Sequence, residues 1–103
     1  MRDIEGAAKH LRALGCKKVG VTGFCMGGAL AIAAMSHSKE IDAAAPFYGV
    51  CDLNAFKLDN IKGPIYGQFG CEDQMKGFSS PDDANLLVET GKKAGKDVRV
   101  KYL

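Results

Sequence analysis

The sequence predicts an α/β domain of about four mostly parallel strands with three main helices packed on both faces. Three observations carry that prediction. Helix-like and strand-like segments follow one another in the order helix, strand, helix, strand, strand, helix, strand. The strand-like segments are short, and helices between them imply crossover connections rather than hairpins. At 103 residues, with 47% hydrophobic and 25% charged residues, the chain makes one small globular domain.

Residues 3–14 read as the first helix. Ile4, Ala7, Ala8, Leu11 and Leu14 recur at helical spacing as one apolar stripe, with Asp3 placed to cap it and Gly15 to end it. Residues 17–23 form a short, Val-rich strand that stops at a sharp turn. The second helix runs over about 26–37 and is apolar nearly all round, which predicts burial on more than one side. Residues 42–50 are the next strand, followed by a polar loop through Lys62. Residues 64–70 are the third strand, and the loop after it carries Asp73. Ser80 caps the third helix, with Pro81 at its first position and Asp82 and Asp83 where negative charge suits the helix dipole. Its inward face is Ala84, Leu87, Val88, Gly91 and Ala94, and Gly95 stops it. Residues 97–103 alternate as the last strand. No repeat or linker divides residues 1–103.

Composition narrows the function. A net charge of +2 with scattered lysines offers no patch for nucleic acid or an anionic membrane. The longest apolar run, around 29–35, is far short of the ~20 residues needed to cross a bilayer, and the N-terminus has no signal-peptide core. Cys16, Cys25, Cys51 and Cys71 lack metal-ligand spacing, so neither a metal site nor a disulfide framework is expected, and the expected setting is reducing and cytoplasmic.

The chemistry concentrates at residues 23–28, Gly-Phe-Cys-Met-Gly-Gly, between a strand and an apolar helix. A reactive side chain held there by small neighbours is the nucleophile-elbow pattern of α/β-hydrolases. Gly23, Gly27 and Gly28 leave room for a strained turn, Cys25 is the nucleophile at a helix N-terminus, and the Met26 N–H is an oxyanion donor. Two readings compete. Cys25 is a buried structural cysteine in one. In the other, residues 22–29 form a dinucleotide-binding turn, but the acid such a fold needs at the end of the next strand is missing, since Asp42 sits at its beginning. A Cys nucleophile also needs a base and a group that orients it. Asp73 fits the orienting acid, with Glu72 the alternative. His37 lies 12 residues past Cys25 on one helix, roughly 18 Å away, and His10 sits at the flank of the first helix. Both read as surface residues.

Residues 23–28 together with Ala45-Pro46-Phe47-Tyr48-Gly49-Val50 and Phe69-Gly70-Cys71-Glu72-Asp73 resemble dienelactone hydrolase, or carboxymethylenebutenolidase, over nearly the whole chain. The resemblance implies an α/β-hydrolase with a Cys-His-Asp triad acting on lactones and related esters, without a cofactor. It matches Cys25 to the nucleophile, Asp73 to the acid and Met26 to half of the oxyanion hole. It also implies that residues 1–103 are a single truncated domain, lacking the early strands and a histidine expected just after Leu103. Little hydrolase activity is then expected from this chain alone, and a non-catalytic remnant that self-associates is the alternative. An unpaired sheet edge predicts a homo-oligomer, and the expected ligand is a small lactone or ester.

Overall fold

The computed structural model describes residues 1–103. Its elements are α1 (Arg2–Ala13), β1 (Gly20–Phe24), α2 (Met26–His37), β2 (Ala43–Phe47), a single 3₁₀ turn at Leu58–Asn60, β3 (Ile65–Phe69), α3 (Pro81–Lys93) and β4 (Val98–Tyr102). All four strands pair in parallel in the order β1-β2-β3-β4. Phe24 lies beside Phe47, Phe47 beside Gln68 and Phe69 beside Tyr102, so every strand ends at the same edge of the sheet.

Strand alternation decides what is buried. Val19, Ala44, Ile65, Phe69 and Val98 enter one core with Ala8 of α1, Ile32, Ala34 and Met35 of α2, and Ala84 and Leu87 of α3. The intervening strand residues Gly20, Thr22, Phe24, Tyr66, Arg99 and Lys101 are exposed. The four parallel strands and three helices are as the sequence predicts, but the helices share one face rather than lying on both. The second face is bare. Helix α2 is buried nearly all round because the 3₁₀ turn flanks it as well as the sheet; the Ser36 hydroxyl, for instance, donates to the Lys57 carbonyl at 2.8 Å.

Local chemistry sets the helix ends. Ser80 and Asp83 form a reciprocal capping box with Pro81 at the first helical position. Gly15 (φ 104°) and Gly95 (φ 71°) close α1 and α3 in the left-handed conformation that glycine adopts without strain. The cap of α1 is Met1 rather than Asp3, which lies inside the helix. Only Ala8 of the α1 stripe is fully buried, with Ile4 partly so; Ala7, Leu11 and Leu14 are exposed.

At the edge where strands begin, Asp42 ties three segments together. Its Oδ2 accepts from the Val19 N–H at 2.8 Å and from Arg12 at 2.7 Å, and its Oδ1 lies 3.2 Å from Lys62. The Val19 N–H, with Lys62 and Arg12 adding positive charge, holds the Asp42 carboxyl down at about 2. Nearby, the Ser38 hydroxyl donates to Glu5 at 2.7 Å, which lowers that carboxyl too.

Candidate active site

Cys25 is the single residue between β1 and α2, with φ 59° and ψ −119°. A side-chain-bearing residue in this region costs about 1–3 kcal/mol and persists only when its surroundings over-determine it. Here they do. The Cys25 N–H donates to the Phe47 carbonyl at 3.0 Å, and its carbonyl accepts from Gly28 at 3.0 Å and Ala29 at 3.2 Å. The backbone is locked while the thiol stays exposed.

Close approach of backbones builds the rest of the turn. A Cβ on Gly23 would overlap the Gly27 carbonyl, and one on Gly28 would lie 2.5 Å from the Phe47 carbonyl oxygen. Gly27, expected from sequence to leave room in the same way, meets nothing within 4 Å. The glycine that sequence reasoning missed is Gly49, where a Cβ would overlap the Cys25 carbonyl. It follows Tyr48, the other non-glycine residue at positive φ (37°). A Tyr-Gly pair closing a strand was the available signal.

Donors are free at the turn. Met26 opens α2, so its N–H has no acceptor one helical turn earlier, and no loop or side-chain acceptor takes it. It is available to an oxyanion beside Cys25.

Asp73 lies in the loop past β3, on the same edge as Cys25. Its Oδ1 accepts from the Met75 N–H at 2.8 Å, which fixes the half-buried carboxylate, whereas Glu72 is exposed. Between the ends of β1 and β3 lies one strand, so about 10 Å separates the thiol's turn from the acid's loop. An imidazole with a hydrogen bond of about 3 Å on each side bridges such a gap. Neither histidine is near it. His37 ends α2, beside Met1, Arg2 and Asp3, and His10 is exposed on α1.

The other titratable groups do not form a rival site. Cys51 is half-buried beside a cleft of about 470 Å³ that Asn54, Asp83 and Thr90 also line, and burial pushes its thiol up to about 11. Asp83 is engaged by the Ser80 and Phe78 N–H groups. Asp42 is tied to Val19, Arg12 and Lys62 at the far edge, out of reach of a nucleotide at the β1–α2 turn. No three His, Cys, Asp or Glu side chains gather as a metal-ligand cluster, and no helix is long and apolar enough to cross a membrane.

The chain matches the sequence model of the dienelactone hydrolase family over residues 1–103. A protein of Aquifex aeolicus (strain VF5) named as a carboxymethylenebutenolidase is 41% identical over 86 residues, which cover 82% of this chain and 36% of that protein. Protein usf of Aquifex pyrophilus is 37% identical over 94 residues, covering 90% of this chain and 39% of its own. The chain thus spans well under half the length of these curated relatives. Among solved structures, a Klebsiella pneumoniae protein named as a dienelactone hydrolase aligns with 97% of this chain and 45% of its own at a TM-score of 0.76 and 20% identity. An esterase of Pyrococcus furiosus aligns with 97% of this chain and 50% of its own at a TM-score of 0.77 and 18% identity. At such identities these structures establish the fold, part of an α/β-hydrolase.

Proposed function

This chain belongs to the dienelactone hydrolase family, and from that premise we propose that it carries the nucleophile and acid portion of a thiol hydrolase of lactones or carboxylic esters. Cys25 is the nucleophile, the Met26 N–H an oxyanion donor and Asp73 the residue that orients the base. The base is a histidine outside residues 1–103, because His10 and His37 are both remote from the turn. In the reaction, the base takes the Cys25 proton as sulfur bonds to the carbonyl carbon. The carbonyl oxygen becomes an oxyanion facing the Met26 N–H. Collapse breaks the C–O bond, the alkoxide or enolate leaves with the proton, and water then hydrolyses the thioester. The observation that supports this most is Cys25 itself: a thiol locked at positive φ between strand and helix, beside an unpaired N–H.

Turnover of a dienelactone and an aryl acetate tests the reading. The 103-residue chain is expected to show trace turnover at most, since general acid–base catalysis is worth typically ~10²–10⁴-fold. A version of the chain extended with the flanking segments that its longer relatives carry should hydrolyse one of the two, with Cys25→Ala abolishing activity and Asp73→Asn lowering kcat by roughly that factor. Full activity in the short chain would overturn the assignment of the base. An inert longer protein, or one indifferent to Cys25→Ala, would overturn the hydrolase reading itself.

A further inference from the structure

We infer that Asp83 is a positioning residue for the proposed reaction: through the backbone of Phe78 it holds the loop of Asp73 in place relative to the turn of Cys25. That role presupposes Cys25 as nucleophile and Asp73 as acid. Asp83 is the third residue of α3, and its Oδ2 accepts three hydrogen bonds. The Ser80 hydroxyl donates at 2.6 Å, and the Ser80 and Phe78 N–H groups donate at 3.0 Å each. The bonds to Ser80 are those of a helix cap. The bond to Phe78 is not. Phe78 lies two residues before the cap, outside the helix, so capping α3 does not require it.

Phe78 is held from both sides. Its N–H donates to Asp83, and its carbonyl accepts from the Val50 N–H at 2.8 Å. Val50 belongs to the short segment that leaves β2, and the Cys25 turn rests on the same segment. The Tyr48 N–H donates to the Gln68 carbonyl of β3 at 2.8 Å. Gly49 lies so close to Cys25 that a Cβ would overlap the Cys25 carbonyl. Residues 48–50 therefore meet the nucleophile's turn at Gly49 and the acid's loop at Val50.

From Phe78 the linkage reaches the acid in two steps. The Met75 carbonyl accepts from the Phe78, Ser79 and Ser80 N–H groups at 3.3, 3.0 and 3.2 Å. The Met75 N–H then donates to Asp73 Oδ1 at 2.8 Å, the one hydrogen bond on that carboxylate. Gly77, at φ 86°, lets the chain fold back between Met75 and Phe78. The place of the Asp73 carboxylate is thus the place of Met75, and Met75 is fixed by what fixes residues 78–80. A displacement of about 1 Å between catalytic groups can cost ~10²-fold in rate, so an anchor remote from the thiol matters to the chemistry.

Comparing Asp83→Ala with Ser80→Ala by amide exchange and kinetics tests this. Both weaken the α3 cap, but only Asp83→Ala releases the Phe78 N–H. In the 103-residue chain the Met75 amide should exchange about tenfold faster in Asp83→Ala than in Ser80→Ala. In a version extended with the flanking segments that its longer relatives carry, Asp83→Ala should lower kcat about tenfold to a hundredfold at unchanged KM. Ser80→Ala should leave both at wild-type values. If Asp83→Ala fails to fold, Asp83→Asn keeps an acceptor without its charge and should show the same pattern at smaller size. Equal Met75 exchange in the Asp83 and Ser80 variants overturns the inference, because Asp83 is then only a cap. So does a loss of kcat that both variants share. An extended version that is inert before any substitution overturns the hydrolase reading instead, and the Met75 comparison still decides whether Asp83 holds the loop.

Discussion

The two edges of the sheet are built on opposite principles. Where the strands begin, Asp42 accepts from a backbone N–H and lies against two cations, joining α1, the start of β1 and the loop before β3. Where they end, the Cys25 thiol is exposed, the Met26 N–H has no acceptor, and Asp73 is anchored by one hydrogen bond. The first edge satisfies its polar groups. The second satisfies only its backbone geometry and leaves its polar groups to be used. A fold can tolerate the strained turn at one edge because ion pairing and core packing hold the strands from the other side.

Crowding at the elbow gives the largest way to test that contrast. Gly49→Ala drives a Cβ into the Cys25 carbonyl, and Gly28→Ala drives one into the Phe47 backbone. Neither obstacle is a flexible side chain, so β1, α2 and β2 must separate. A loss of roughly 3 kcal/mol or more is expected for each, enough to abolish cooperative unfolding in a small domain. Urea titration followed by circular dichroism checks it. A native transition in Gly49→Ala would mean that the turn is held more loosely than its hydrogen bonds imply.

The clamp at the other edge gives the next effect, and it is pH-dependent. The Asp42 carboxyl is lowered to about 2 in the folded chain from an ordinary 3.8. A depressed carboxyl contributes stability that is fully present above its unfolded value and lost as pH falls through its folded one. Thermal melts should therefore show stability falling between about pH 4 and pH 2. Asp42→Asn should lower Tm at neutral pH and flatten that part of the profile. If the profile keeps its slope, other carboxylates, Glu5 first among them, carry the acid sensitivity instead.

The same division governs what could be read from the sequence. Features fixed by neighbours in the chain were legible. The Ser80–Asp83 cap, Pro81 and the glycines that end α1 and α3 depend on residues a few positions apart. Cys25 between strand and helix was legible for the same reason. Strand limits were not: residues 17–23 shrink and shift to Gly20–Phe24, and 42–50 to Ala43–Phe47, because pairing register ends a strand. Gly49 is required by the carbonyl of Cys25, 24 positions away, and Asp42 gains its role from Arg12 and Lys62. Placement of all three helices on one face was hidden because alternation shows which strand residues share a face and not which face is covered.

Gly27 is where the sequence asked for a glycine that the geometry does not need, and it carries the smallest effect. It sits second in α2, outside the positive-φ region, and a Cβ there meets nothing within 4 Å. Alanine would remove freedom from the unfolded chain and improve helix propensity, so Gly27→Ala should stabilise by about 0.4–1 kcal/mol, read as a higher urea midpoint at unchanged slope. The opposite sign would show that the helix start moves in a way the ground geometry hides. With the expected sign, the variant separates two uses of small residues in one motif. Gly23 and Gly28 let backbones touch, whereas the open space above Gly27, next to Cys25 and Met26, belongs to whatever approaches the thiol. If the proposed hydrolase activity is found, a stabilised Gly27→Ala variant that raised KM would mark that space as the substrate's.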